Sequence, residues 1–164
     1  MKRIILFVCL LAMLLPLAAC GSKPAAQVSY RSDAAMSELS GAVEQHLDAK
    51  SLAAMQESYL TGPMKLDTGL FADYVVKINA YGANIDEYGI FKAPDEASVD
   101  SVKAAIDGYI QLRKDTWMEE YMPEEKPKLT KAEVRTVGQY VIYVIVDDSV
   151  RGDILSAFET ALRA

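Results

Sequence analysis

The sequence predicts an α+β domain: an N-terminal helix followed by two β-hairpin–helix units, with a four-stranded antiparallel sheet packed against the helices. Three observations predict it. Residues 74–93 and 131–146 each hold two β-rich runs around a compact connection, the pattern of a hairpin. Residues 32–48, 95–121 and 149–162 carry apolar side chains at helical spacing. The strands come in pairs rather than singly between helices, which favours α+β over an alternating α/β arrangement.

Each element has its own justification. In residues 32–48, Met36, Leu39, Val43 and Leu47 recur at helical spacing, with Ser32 or Asp33 as a cap; residues 51–58 extend this helix after a break near Asp48. Thr61, Gly62 and Pro63 form a turn. Residues 64–71 show no clear period, and Thr68 is a candidate cap for one short helical turn. Residues 74–81 and 87–93 form the first hairpin across Gly82, Ala83 and Asn84. Pro94 and Asp95 open a long helix whose stripe runs through Val99, Val102, Ile106, Tyr109, Ile110, Trp117 and Tyr121. Residues 123–127, with prolines at both ends, stop it and form a polar loop.

Gly138 and Gln139 then join residues 131–137 to 140–146 in a second hairpin. The strand 140–146 is apolar on both faces, so it belongs in the middle of a sheet covered on both sides, or at an interface. Asp148 or Ser149 caps the last helix, with Val150, Ile154, Leu155, Phe158 and Leu162 as its stripe. The two hairpin–helix segments echo each other, Tyr88 and Ser98 matching Tyr140 and Ser149. Two duplicated ββα units would explain the echo, and so would chance.

Upstream of these elements the chain has a different character. Met1, Lys2 and Arg3 give a basic start, residues 4–19 carry no charge, and Ala18 and Ala19 precede Cys20. This is the order of a secretory signal. The apolar run is short for a spanning helix, which needs about 20 such residues. Leu17, Ala18, Ala19 and Cys20 resemble the lipidation box of a bacterial lipoprotein: only a thiol can form the thioether to diacylglyceryl, and small residues before it admit the peptidase. Two acyl chains hold where one gives marginal binding. The predicted organisation is a signal peptide at 1–19, the lipidated Cys20 and a flexible tether at 20–31, and one domain at 32–164.

The chain has 164 residues, enough after loss of the leader for one domain with a real core. Its two cysteines are Cys9 and Cys20. The leader removes the first and lipid occupies the second, so the mature domain has no disulfide and no cysteine-based metal site or nucleophile. Lys and Arg number 17 against 23 Asp and Glu. Because the leader takes Lys2 and Arg3 and no acid, the mature chain is still more acidic, which argues against nucleic acid and against adhesion to anionic head groups.

Cys20, Gly21 and Ser22, then a helix, residues 74–93, a long helix, and residues 139–148 with a closing helix together resemble one family, domain of unknown function 4358, borne on lipoproteins of Gram-positive bacteria. The likeness spans about residues 32–163 and is most specific over 86–106. It implies a small lipid-anchored extracytoplasmic domain, and it implies no activity and no catalytic residues.

No chemistry-bearing motif competes with that expectation. His46 is the single histidine, and neither a HExxH zinc motif nor a GxSxG elbow is present. A Ser-His-Asp triad would have to use His46. The acid pairs Glu119–Glu120, Glu124–Glu125 and Asp147–Asp148 read as capping and solvated surface. Adjacent acids do not face each other across a cleft, as glycoside hydrolysis requires. Asp147, Asp148 and Asp153 lack the pattern of a calcium loop. The nine tyrosines suit strands and binding surfaces alike. Trp117 and Tyr121, one turn apart, are the candidate partner surface, beside the 123–127 loop.

The expectation is a non-catalytic, cofactor-free lipoprotein on the outer face of the cytoplasmic membrane, held through diacylglyceryl at Cys20 and binding an envelope protein or a small ligand. An envelope hydrolase using carboxylates, or a structural component of an envelope complex, is the alternative.

Overall fold

The computed structural model describes residues 28–118 and 120–164. The expected leader, Cys20 and the first part of the tether lie outside the described residues. The elements are α1 (Met36–Glu44), β1 (Leu52–Ala54), α2 (Glu57–Thr61), β2 (Asp73–Asn79), β3 (Glu87–Lys92), α3 (Val99–Asp115), α4 (Lys126–Thr130), β4 (Glu133–Val137), β5 (Tyr140–Ile145) and α5 (Asp148–Leu162).

The strands form one antiparallel sheet in the order β1-β2-β3-β5-β4. The α+β class and both hairpins stand; the strand count is five rather than four. The additional strand is β1, in a segment the sequence reading assigned to helix. Its Leu52, Ala53 and Ala54 pair with Asn79, Ile78 and Lys77, so a partner distant in sequence overrides the helical preference of alanine.

Helices cover both sides of the sheet. On one side α3 lays Val102, Ile106, Tyr109 and Ile110 against Val76, Phe91, Val141, Tyr143 and Ile145. On the other, α1 and α5 lay Leu39, Val43, Ile154, Leu155, Phe158 and Leu162 against Tyr88, Ile90, Tyr140, Ile142 and Val144. Every residue of β5 is fully buried, as its two-sided apolar sequence requires. This layering also decides the internal echo. β3 and β5 are antiparallel neighbours, so a two-fold axis relating them would keep both following helices on one face. α3 and α5 lie on opposite faces, and the two ββα units are therefore of opposite hand.

Other differences have local causes. The N-cap of α1 is Ala35, which makes no side-chain capping bond, rather than Ser32 or Asp33. Asp147, not Asp148 or Ser149, caps α5, accepting from the Ser149 N–H at 2.9 Å. Asp67, not Thr68, caps the short turn Thr68–Leu70. α3 ends at Asp115, so Trp117 and Tyr121 follow the helix instead of riding on it. α4 begins within the expected polar loop, at Lys126, with Pro127 in its first turn, where a missing N–H costs nothing.

The tether expected at 20–31 ends in a paired segment. Tyr30 bridges Arg163, Arg31 N donates to Leu162 O at 2.8 Å, and Ala164 N donates to Ser29 O at 3.0 Å. Tyr30 also lies against the β4–β5 turn, where a Cβ on Gly138 would stand 3.2 Å from its own Cβ. Tyr140 marks that end of β5; Ile145, opposite Glu87, marks the other end, beside the β2–β3 connection. The N-terminal stretch and the β2–β3 connection thus sit at opposite ends of the sheet, roughly 17 Å of strand apart at about 3.4 Å per residue.

Candidate functional site

The end of the sheet away from the N-terminal stretch is built around a buried acid. Strand alternation places Glu87, Gly89 and Phe91 on the α3 side of β3. Glu87 is only 2% exposed, and an unpaired carboxylate there would be prohibitive. Three donors meet it. Tyr109 of α3 and Tyr143 of β5 donate to its Oε1 at 2.5 and 2.6 Å, and Arg113, one turn beyond Tyr109, donates from Nη1 to Oε2 at 2.5 Å. Arg113 Nη1 also donates to the Tyr109 hydroxyl at 2.6 Å.

Gly89 makes the arrangement possible. Tyr143 faces it across the β3–β5 pair, and a Cβ on Gly89 would come within 2.3 Å of the Tyr143 ring. The phenol reaches Glu87 by crossing the strand where no side chain stands. Burial, and then the negative charge of Glu87, push the Tyr109 and Tyr143 phenols well above their ordinary value. Burial alone would lower the Arg113 guanidinium, but Glu87 more than offsets it and holds the group firmly charged.

Arg113 leads from this buried centre to the surface, with 26% of its side chain exposed. It lines two adjoining cavities that share Tyr59 and Tyr121. One, of about 450 Å³, is bounded by Tyr59, Pro63, Lys65, Leu112, Thr116, Trp117, Met118 and Tyr121. The other, of about 300 Å³, extends past Tyr121 toward Asn79, Asn84, Ile85 and Asp86. Together they make one open cleft. Its far bank is clamped by Lys128, which reaches Asp86 and Glu125 at 2.8 Å each, while Glu125 Oε2 accepts from Ile85 N at 3.0 Å. Burial would lower the Lys128 ammonium; the two carboxylates reverse this and raise it.

The expected partner residues both line this cleft. Tyr121 is exposed, and its ring lies 6.3 Å from that of half-buried Trp117 at an interplanar angle of 55°. Trp117 Nε1 is buried without a hydrogen-bond partner. Sequence reasoning singled out these two but not Tyr59, Lys65, Arg113 or Glu87, which line the same cleft. One signal for Glu87 was available: period two puts this acid on the same strand face as Phe91, which must be core.

A second carboxylate–tyrosine centre occupies the opposite face. Glu44 of α1 accepts from Tyr88, from Ser40 at 2.9 Å and from Lys77 at 2.5 Å. Burial would raise its carboxyl, but the bonds from Lys77, Tyr88 and Ser40 hold it below the ordinary value.

The remaining candidates do not converge. His46 shares a shallow cavity between α1 and α5 with Asp153 and Ser156, but no hydrogen bond joins the three, and a triad requires both links. Asp147 caps α5, and Asp148 pairs with Lys131 and Arg151. Glu119 lies outside the described residues. Among the described residues, no group of three or more His, Cys, Asp or Glu could hold a metal ion, and no helix is long and apolar enough to cross a membrane.

Residues 45–146 match a family model described as a domain of unknown function, DUF4358. The match begins just after α1 and ends just after β5, so it takes in the buried acid, the long helix and the cleft. No curated protein and no solved structure matches the chain.

Proposed function

We propose a binding role for this chain, which belongs to the DUF4358 family. It is a lipid-anchored, non-catalytic lipoprotein on the outer face of the cytoplasmic membrane. Diacylglyceryl at Cys20 holds it to the membrane, and its domain presents the cleft around Tyr59, Arg113, Trp117 and Tyr121 to an envelope component. The observation that carries this reading is the position of the cleft: it lies at the end of the sheet opposite the segment that leads back to Cys20. A domain tethered at one end and grooved at the other offers the groove away from the membrane.

The internal commitments of the polar groups favour binding over catalysis. Glu87 and Asp86, the acids that line the cleft, and Glu125 on its far bank are each paired with a cation. A general acid or base has to be free to exchange its proton with substrate. The exposed aromatics provide contact area at low entropic cost.

Two measurements test the reading. Cys20→Ala should release the domain from the membrane fraction or leave the precursor unprocessed; mature, membrane-bound Cys20→Ala protein contradicts the anchor. Thermal-shift titration of the full chain with purified wall and membrane components should find one that stabilises it, with the shift lost in Tyr59→Ala/Tyr121→Ala. An equal shift in both proteins, or turnover of the component, contradicts the proposal.

A further inference from the structure

Resting on the binding role just proposed, the chemistry of the larger cavity narrows what it takes. Its lining is rich in donors and poor in acceptors. Arg113 and Lys65 are its charged residues, and no carboxylate lines it. Arg113 commits Nη1 to Glu87 and Tyr109, which holds the guanidinium in place, and 26% of the side chain stays exposed. Lys65 is exposed, and no carboxylate among the described residues pairs with it. The Thr116 hydroxyl is spent on Leu112 O at 2.7 Å. The other walls are Tyr59, Pro63, Leu112, Trp117, Met118 and Tyr121.

Backbone strain points to the same place. Among the described residues, two non-glycine residues have positive φ, Lys65 at 54° and Met122 at 49°. One lines the cavity and the other directly follows Tyr121. Such conformations are disfavoured for residues with a Cβ and cluster at ligand sites.

The surroundings limit the ligand's charge. Asp115, Glu120 and Glu124 stand outside the lining but close by in sequence, and the whole chain is acidic at −6. A polyanion would be repelled, whereas a single carboxylate seated on the two cations would not. A volume of about 450 Å³ suits a small molecule or one terminal residue of a chain.

We infer that the cleft captures a single carboxylate carried on an apolar body, with the carboxylate on Arg113 and Lys65 and the body against Tyr59, Trp117 and Tyr121. The source is either a peptide C-terminus or a small free acid.

Trp117 is the chain's one tryptophan, so its fluorescence reads the cleft directly. Full-length protein in detergent is titrated with N-acetyl-phenylalanine, with its uncharged amide, and with phenylacetate. The expected result is a saturable change with N-acetyl-phenylalanine and at least tenfold weaker binding of the amide. Phenylacetate binding equally well assigns the site to free acids; phenylacetate failing assigns it to peptide ends. Arg113→Lys, which keeps the charge and loses the fork, should weaken binding at least tenfold. Lys65→Gln, which disturbs no buried group, should weaken it about threefold and decides the matter if Arg113→Lys does not fold. Equal binding of acid and amide, no saturable change with either acid, or undiminished binding by Lys65→Gln overturns the inference. Such a failure leaves the wider role intact, because that is decided by the Cys20→Ala fractionation and by the thermal-shift titration with its Tyr59→Ala/Tyr121→Ala comparison.

Discussion

Two carboxylates on opposite faces of one sheet solve the same problem in different depths of protein. Glu87, under α3, and Glu44, on α1, each accept from tyrosine and pair with a cation. The side chain of Glu87 is 3% exposed, against 18% for Glu44, while the paired cations Arg113 and Lys77 are equally exposed at 26%, so the difference in depth lies in the acids. Depth turns the same set of partners into different devices. Around Glu87 the bonds link β3, β5 and α3, and the two from Tyr109 and Tyr143 are buried beyond the reach of water. Around Glu44 water reaches the pair and can take over what a lost partner leaves. The deep centre reaches the cleft of Tyr59, Trp117 and Tyr121 through Arg113, whereas Ser40, Glu44 and Lys77 of the shallow centre themselves line a separate cavity of about 440 Å³.

Breaking the deep centre should have the largest effect. Glu87→Gln leaves Arg113 half-buried without its counter-charge, and removal of one member of a buried pair costs about 3 kcal/mol or more. Urea unfolding at neutral pH measures the loss. Gly89→Ala should come next, at about 2 kcal/mol, because the added methyl overlaps the Tyr143 ring and must push it off Glu87. The check is a lower urea midpoint with a changed near-ultraviolet tyrosine signal.

The shallow centre should respond least. Glu44→Gln should cost less than about 1 kcal/mol at neutral pH, as solvent-screened pairs do. Its contribution has a defined pH dependence. The folded value is held below the ordinary carboxylate value of 4.5, so the stabilisation is complete above that value and disappears as pH falls through the lowered one. Wild type should therefore lose stability over that acid range more steeply than Glu44→Gln, as read from urea midpoints. Parallel curves would remove Glu44 from the account of acid stability.

The contrast also explains what could be read in the sequence. Both hairpins were legible because runs such as residues 140–146 have no stable place outside a covered sheet. The long helix was legible from its stripe, and Trp117 and Tyr121 were found as aromatics at its end. β1 was not legible: Leu52, Ala53 and Ala54 carry no alternation, and only pairing with β2 makes them a strand. The deep centre needed Glu87, Tyr109, Arg113 and Tyr143 to meet from three elements, which no local period encodes. Glu87 alone left a trace, as an acid on a core-facing strand position. The caps slipped by a residue or more where several polar residues stood in a row, as at Asp147, Asp148 and Ser149, each able to cap by chemistry alone.

The most direct measurement follows Trp117 emission through urea unfolding of Glu87→Gln beside Glu44→Gln. If Glu87 is the fixed point on which the cleft stands, Glu87→Gln shifts the emission of the folded protein and lowers its stability by about 3 kcal/mol, while Glu44→Gln leaves the emission unchanged and costs less than about 1 kcal/mol. Equal losses, or folded-state Trp117 emission that Glu87→Gln does not alter, would contradict the coupling of the buried acid to the cleft.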